Sequence, residues 1–137
     1  MSDPHFSFTL EQQDDYAFLV RFDNGLPALL TDEPAPLGKN VGPNPSRLIA
    51  AGVANCLGAS LLFALRKFKN EPGRITATVT AQMGRNEQKR LRIARMDVDL
   101  RFSAAAAEMQ HVERILGMFE EYCVVTQSVQ AGFPVGV

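Results

Sequence analysis

Residues 48–65 read LIAAGVANCLGASLLFAL, eighteen positions without a charged side chain. Asn44-Pro45 just before them is typical of a helix start, because Asn accepts from free amides and Pro needs no N–H in the first turn. Basic side chains follow at 66, 67 and 69, where they would interact favourably with the negative C-terminal end of the helix dipole. Pro72-Gly73 is expected to end the helix. The stretch therefore predicts one long helix that is apolar on every side.

Such a helix is buried either in protein or in lipid. Eighteen uncharged residues lie near the lower limit for a membrane span, and the many small residues here lower the hydropathy, so we expect no membrane contact. Ala50, Ala54 and Gly58 lie four apart and allow a second backbone to approach closely. The length of 137 residues predicts a single domain, 1–137. A domain of this size has few residues with which to cover the helix on all sides. We therefore expect a homodimer that shares its core.

The charge pattern excludes several classes of function. The net charge is −1 and the basic residues are scattered, so no positive field attracts nucleic acid. The N-terminus lacks the pattern of a secretory signal, which predicts a cytoplasmic protein with reduced thiols. Two cysteines and two histidines without close spacing do not predict a zinc site, and no Gly-rich phosphate loop follows a strand. We expect no bound cofactor or metal.

Apolar alternation and helical spacing predict the remaining elements. Strands are expected at His5–Leu10, Tyr16–Asp23 and Ala28–Thr31 before the long helix, and at Arg74–Met83 and Leu91–Phe102 after it. A bulge near Ala94-Arg95 would keep the last strand in register. A helix from Ala104 to about Glu121 capped by Ser103, a short helix Val124–Gln130 ended by Gly132, and a terminal strand Phe133–Val137 complete the order. This order predicts an α+β fold with an antiparallel sheet and helices on one face.

The two cysteines lie in different settings. Cys56 is in the middle of the apolar helix, where a cysteine is usually an inert small hydrophobe. A catalytic Cys56 would need a cation beside it, and Arg21, on an otherwise apolar strand face, is the best candidate; the alternative is an outward-facing charge. Cys123 lies where one helix ends and the next begins, so that free amides and the helix dipole favour its thiolate. A chance cysteine at a junction is the other interpretation.

Two segments together resemble the OsmC/Ohr family, named for osmotically inducible protein C and the organic hydroperoxide resistance proteins. GPNPSRLIAAGVANCLGASLLFALRKF is similar to the family's helix with the first cysteine. EEYCVVTQSVQAGFPVGV is similar to its second-cysteine segment, in which Thr or Ser follows three residues after the Cys. The order of elements and the cysteine placement agree across essentially the whole chain.

The resemblance implies an intertwined homodimer with two long central helices, one from each subunit, between antiparallel sheets. It implies a thiol-dependent peroxidase for stress defence, in which Cys56 attacks an organic hydroperoxide and Cys123 resolves the sulfenic acid as a disulfide. An external dithiol of dihydrolipoyl type would reduce that disulfide. Arg21 would orient Cys56, and Ser46, Val53, Ser60 and Phe63 would line a pocket whose apolar walls favour alkyl or fatty-acid hydroperoxides.

One position departs from the peroxidase pattern. Peroxidase members have a Glu after the Pro at the helix start, whereas this chain has Ser46, which cannot balance the charge of an Arg. Either Glu33, Glu120 or Glu121 takes that role, or the activation of Cys56 is weaker. The alternative function is therefore a non-catalytic protein of the same fold that binds a small apolar ligand. An enzyme of different chemistry, with Ser46 or Cys123 as nucleophile, ranks last because no His is placed to activate either.

Overall fold

A three-stranded antiparallel sheet precedes the long helix and a two-stranded antiparallel ribbon follows it in the computed structural model, which describes residues 4–137. The chain forms two compact units, one ending at Leu48 and one running from Ile49 to Val137. The α+β class with antiparallel sheets is confirmed, whereas the single domain 1–137 and the homodimer with two central helices stay predictions.

The N-terminal sheet is formed by β1 (Thr9–Asp14), β2 (Ala17–Arg21) and β3 (Leu29–Thr31). The strand expected at His5–Leu10 is wrong in its bounds, because β1 begins at Thr9. Pairing with β2 sets the extent of β1, and the two strands are joined by a tight turn in which Asp15 adopts a φ of 48°. The apolar alternation at residues 6–10 therefore does not mark the bounds of the strand. The other two strands are close to their predicted positions.

Asp32 organises the loop between β3 and the long helix. The residue is 3% exposed, and its carboxylate accepts from the backbone N–H groups of Glu33, Lys39 and Val41 at 2.8, 3.0 and 3.3 Å. Burial raises the pKa of this carboxyl, but the three N–H groups and the charge of Lys39 together hold it below its ordinary value. A loop rich in Pro and Gly is thus fixed by one carboxylate.

The long helix, α1, spans Pro45–Lys67. Asn44 accepts from the backbone N–H of Arg47 at 3.0 Å, so the predicted N-terminal cap is confirmed. The expected stop at Pro72-Gly73 is wrong in position. The helix ends earlier in a Schellman motif, in which Lys69 adopts a φ of 63° and the N–H of Asn70 donates to the Leu65 carbonyl at 2.9 Å.

One side of α1 forms the core of the C-terminal unit. Its residues Val53, Leu57, Leu61, Ala64 and Leu65 pack with Ile115, Phe119 and Cys123. By length and composition α1 is the one helix of residues 4–137 that is able to cross a membrane, a property that it shares with core helices of soluble proteins. The absence of membrane contact stays a prediction.

The C-terminal ribbon is formed by β4 (Ile75–Arg85) and β5 (Leu91–Phe102). Gln82 pairs with Arg95 and Met83 with Ile93, so Ala94 is the extra residue of a bulge, as predicted. The bulge restores the register of Met96, Val98, Leu100 and Phe102, which pack against the core on one face of β5.

The helix predicted from Ala104 to about Glu121 is wrong as a continuous element. The segment forms short 3₁₀ turns at 106–108 and 119–122 and one helical turn, α2, at Val112–Leu116. Asn70 explains the break, because its side chain donates to the Gln110 carbonyl and accepts from the Gln110 N–H, both at 2.8 Å. These bonds occupy backbone groups that a continuous helix would need.

Two further predictions for the C-terminal part differ from the structure. Ser103 does not cap a helix; its hydroxyl accepts from the Arg74 N–H at 2.9 Å. The final helix, α3 (Val124–Ala131), ends at Gly132 as predicted. Residues 133–137 are exposed and do not form the expected strand, since no strand of residues 4–137 pairs with them.

Candidate functional site

Cys56 lies on the wall of a cavity of about 350 Å³ beside α1. Its thiol is free and half-buried, so the residue packs against the core and also borders open space. The same face of α1 contributes Ala59, Ser60, Phe63, Ala64 and Lys67 to the cavity, and the segment that follows α2 contributes Met118, Tyr122 and Val124. Apart from Cys56, Ser60, Lys67 and Tyr122, the lining residues are apolar.

Cys123 is placed by the junction between the turn at 119–122 and α3. It is the N-terminal capping residue of α3, with an extended backbone (φ −81°, ψ 99°), and its free thiol is fully buried. The thiol donates to the hydroxyl of Thr126 at 3.1 Å. Thr126 follows Cys123 by three residues, a spacing that places the two side chains together in the first turn of a helix.

The surroundings of Cys123 favour its thiolate. Burial by itself raises the pKa of the thiol, because the charged form loses solvation. The hydroxyl of Thr126, the thiol of Cys56, the backbone N–H of Thr126 and the hydroxyl of Ser60 together outweigh burial and lower the pKa of Cys123 below its ordinary value. The interpretation of Cys123 as a thiol at a polar helix start agrees with this geometry.

The structure brings the two cysteines together. The Cys56 and Ser60 side chains lie one helical turn apart on α1, and both are close enough to the Cys123 sulfur to stabilise its charge. Sixty-seven positions separate the cysteines in the sequence, and the packing of α1 against the start of α3 closes that gap. The buried thiol of Cys123, whose pKa is lowered, therefore lies next to the half-buried thiol of Cys56, which faces the cavity.

The other predicted site residues are placed as follows. Ser60 and Phe63 line the cavity with Cys56, and Phe63 is 70% exposed at its edge. Val53 is buried in the core and borders a different cavity, next to α3 and the C-terminal residues. Ser46 is half-buried in the first turn of α1. Its place in a pocket stays a prediction.

Arg21 ends β2 in the N-terminal unit. Its side chain is 56% exposed, and the guanidinium lies 3.9 Å from the Glu11 carboxylate on the neighbouring strand. This placement agrees with the outward-facing alternative within the N-terminal sheet. A role for Arg21 beside Cys56 stays a prediction.

Two features of the site were not expected from the sequence. They are Lys67 and Tyr122, which both line the cavity beside Cys56. The signal for Lys67 was available, since it continues the spacing of three and four residues that begins at Cys56. Tyr122 could be placed only by tertiary packing. Within residues 4–137, no group of three His, Cys, Asp or Glu side chains is arranged to hold a metal ion.

Comparison with known proteins assigns the fold and the family. The OsmC-like protein family matches residues 38–137. An OsmC-like protein of unknown function from Vibrio cholerae has a TM-score of 0.78 at 17% identity, with 93% of this chain and 95% of that chain covered. No curated protein sequence matches this chain.

Two structures of organic hydroperoxide resistance proteins are also similar. One from Legionella pneumophila has a TM-score of 0.71 at 16% identity, with 93% of this chain and 92% of that chain covered. OhrB of Bacillus subtilis has a TM-score of 0.68 at 18% identity, with 93% of each chain covered. At these identities the structures establish the common fold, and the family match covers most of the chain. The chain therefore belongs to the OsmC-like family.

Proposed function

We propose that the protein reduces organic hydroperoxides by a thiol–disulfide cycle between Cys56 and Cys123. The observation that carries the proposal is the placement of the two thiols: Cys56 borders a largely apolar cavity, and the buried thiol of Cys123 lies close to the Cys56 thiol. The likeness to organic hydroperoxide resistance proteins supports the same chemistry.

In the first step the Cys56 thiolate attacks the terminal peroxide oxygen. An S–O bond forms and the O–O bond breaks. The alkoxide takes up a proton and leaves as the alcohol, so the peroxide is reduced and Cys56 is oxidised by two electrons to a sulfenic acid. The apolar wall of the cavity favours an alkyl peroxide over hydrogen peroxide, because an alkyl group gains from leaving water.

In the second step the Cys123 thiolate attacks the sulfur of the sulfenic acid. An S–S bond forms, the S–O bond breaks and the oxygen leaves as water after protonation. The donors around Cys123 keep its sulfur in the nucleophilic form at a lower pH than an ordinary thiol. An external dithiol of dihydrolipoyl type then supplies two electrons and two protons to restore both thiols.

The test is turnover of cumene hydroperoxide with dihydrolipoic acid. We expect Cys56→Ser to abolish turnover. We expect Cys123→Ser to consume one equivalent of peroxide without dithiol and to leave a sulfenic acid that dimedone traps, whereas the parent forms a disulfide that dimedone does not label. Turnover that survives Cys56→Ser would reject the proposal.

A second candidate function is the non-catalytic binding of a small apolar ligand. The largely apolar lining of the cavity favours it, and so does the resemblance, in which Ser46 takes the place of the Glu of peroxidase members. It predicts that the purified protein retains a ligand detectable by native mass spectrometry while both thiols stay unreactive toward hydroperoxides.

We also propose a homodimer in the cytoplasm. Ala51, Asn55 and Ala59 lie four residues apart along α1 and are exposed although the helix is apolar, so they are available to a second copy. The reducing cytoplasm supplies the thiol donors that the cycle needs. We expect Asn55→Arg to lower the mass measured by analytical ultracentrifugation from a dimer to a monomer. A parent protein that sediments as a monomer would refute the dimer.

A further inference from the structure

The pair formed by Cys56 and Cys123 brings two sulfur atoms to one place in the C-terminal unit. Both thiols are free, and the packing of α1 against the start of α3 places them close together. A thiolate is a soft ligand, and soft ligands select cations such as Cu(I) and Zn²⁺ over Mg²⁺ and Ca²⁺. The reduced protein therefore offers two soft ligands to a single cation.

The number of ligands decides which cation fits this pair. Zinc is held by four ligands, or by three and a water, and the hard cations require several oxygen atoms. Within residues 4–137, no third His, Cys, Asp or Glu side chain joins the two cysteines in such a set. Cu(I) differs from these cations, because it forms stable complexes with only two thiolates. Copper in its reduced form is thus the cation that the pair suits best.

The surroundings of the pair suit the charge of such a complex. Cu(I) with two thiolates carries one net negative charge, and a buried charge is costly unless hydrogen-bond donors face it. The hydroxyl of Thr126 lies 3.1 Å from the Cys123 sulfur, and the hydroxyl of Ser60 and the backbone N–H of Thr126 lie close to the same atom. Once the thiol proton has left, the Thr126 hydroxyl can rotate and donate to the sulfur. The site is therefore prepared for an anionic sulfur complex.

A cation can reach the pair from the cavity beside α1. Cys56 is half-buried and lines this cavity of about 350 Å³, whereas Cys123 is fully buried next to it. Met118 adds a third sulfur atom, a thioether, to the cavity wall, and a thioether is also a soft donor. We expect the ion to meet Cys56 first and to become enclosed when Cys123 binds it.

We propose that the reduced protein binds one Cu(I) ion between the sulfur atoms of Cys56 and Cys123. Two Cu–S bonds form, the two thiol protons are released, and the oxidation state of copper and sulfur does not change. A disulfide between the two cysteines would remove both ligands, so only the reduced pair binds the ion. The ion is an exchangeable ligand and not a resident cofactor. The inference rests on the placement of the thiols and does not depend on the peroxidase proposal.

The test is an anaerobic competition for Cu(I) between the reduced full chain and bicinchoninate, measured by the colour of the chelator complex. We expect the parent to withdraw one Cu(I) per chain, and X-ray absorption to show two sulfur neighbours. At concentrations that saturate the parent, Cys56→Ser and Cys123→Ser are each expected to leave the copper with the chelator. A parent that withdraws no copper would overturn the inference, as would either variant that binds copper as tightly as the parent.

Two controls keep the result specific. Parent protein oxidised with diamide until no free thiol remains keeps every side chain, so it tests the thiol pair even if Cys123→Ser fails to fold. We expect the oxidised form to bind no copper and to regain binding after reduction; copper bound by the oxidised form would refute the site.

The second control is Zn²⁺, offered to the reduced parent against a chromophoric chelator. We expect zinc to stay with the chelator, because two thiolates do not complete its coordination. Zinc held as tightly as Cu(I) would contradict a two-ligand site. Absence of cumene hydroperoxide turnover by the parent would reject the peroxidase proposal and leave the copper result standing.

Discussion

The hydroxyl of Thr126 provides the sharpest test of how this protein keeps Cys123 reactive. Thr126→Val removes the hydroxyl and keeps the size of the side chain, so the 3.1 Å contact to the Cys123 sulfur is lost while packing is nearly conserved. A Cys56→Ser background leaves Cys123 as the only thiol of the chain. Ultraviolet absorbance of the thiolate against pH then reports Cys123 alone.

The magnitude follows from the type of contact. A hydrogen bond to a charged group contributes about 1.5–3 kcal/mol, so its loss lowers the thiolate-to-thiol ratio of Cys123 roughly 10- to 150-fold at a fixed pH. The direction is also fixed: the native pKa of Cys123 is lowered, so its thiolate is lost as the pH falls through that pKa. We expect Thr126→Val to move the titration to higher pH.

Two controls make the result specific. Thr126→Ser keeps a hydroxyl at the same place and is expected to titrate close to the parent. Thr78→Val makes the same chemical change on an exposed position of β4 and is expected to have no effect. If Thr126→Val titrates at the parent pH while circular dichroism shows an intact fold, the reasoning is refuted.

Three further predictions concern stability. Leu61→Ala, at a position 1% exposed in the core, should lower the free energy of unfolding in urea by about 2–5 kcal/mol, whereas the exposed Leu26→Ala should change it little; equal effects would contradict the described core. Gly42→Ala should lower the free energy of unfolding by about 1–3 kcal/mol through overpacking, because a new Cβ would clash with the carbonyl oxygen of Leu30. An unchanged unfolding midpoint would contradict this close packing. The lowered pKa of Asp32 means that its stabilising effect is complete above the ordinary Asp pKa and is lost as the pH falls through the native pKa. Asp32→Asn should therefore flatten the loss of stability on acidification, and an unchanged slope would count against this role.

Local patterns in the sequence determined the elements whose form depends on neighbouring residues. The run of uncharged residues at 48–65 and the cap at Asn44 established the long helix, because helix starts and apolar faces are properties of a few adjacent positions. The change of phase in the last long strand established the bulge at Ala94. The position of Cys123 at a helix start likewise followed from a local break.

Only the tertiary structure decided the features that depend on distant residues. Asn70 binds the backbone of Gln110, forty positions away, and so interrupts a segment whose spacing by itself favours one helix. Packing of α1 against the start of α3 places Cys56 and Cys123 together beside the cavity that Cys56 and Lys67 both line. Local sequence patterns do not predict such contacts, because hydrogen bonds and burial between distant segments depend on how the helices and strands pack against one another.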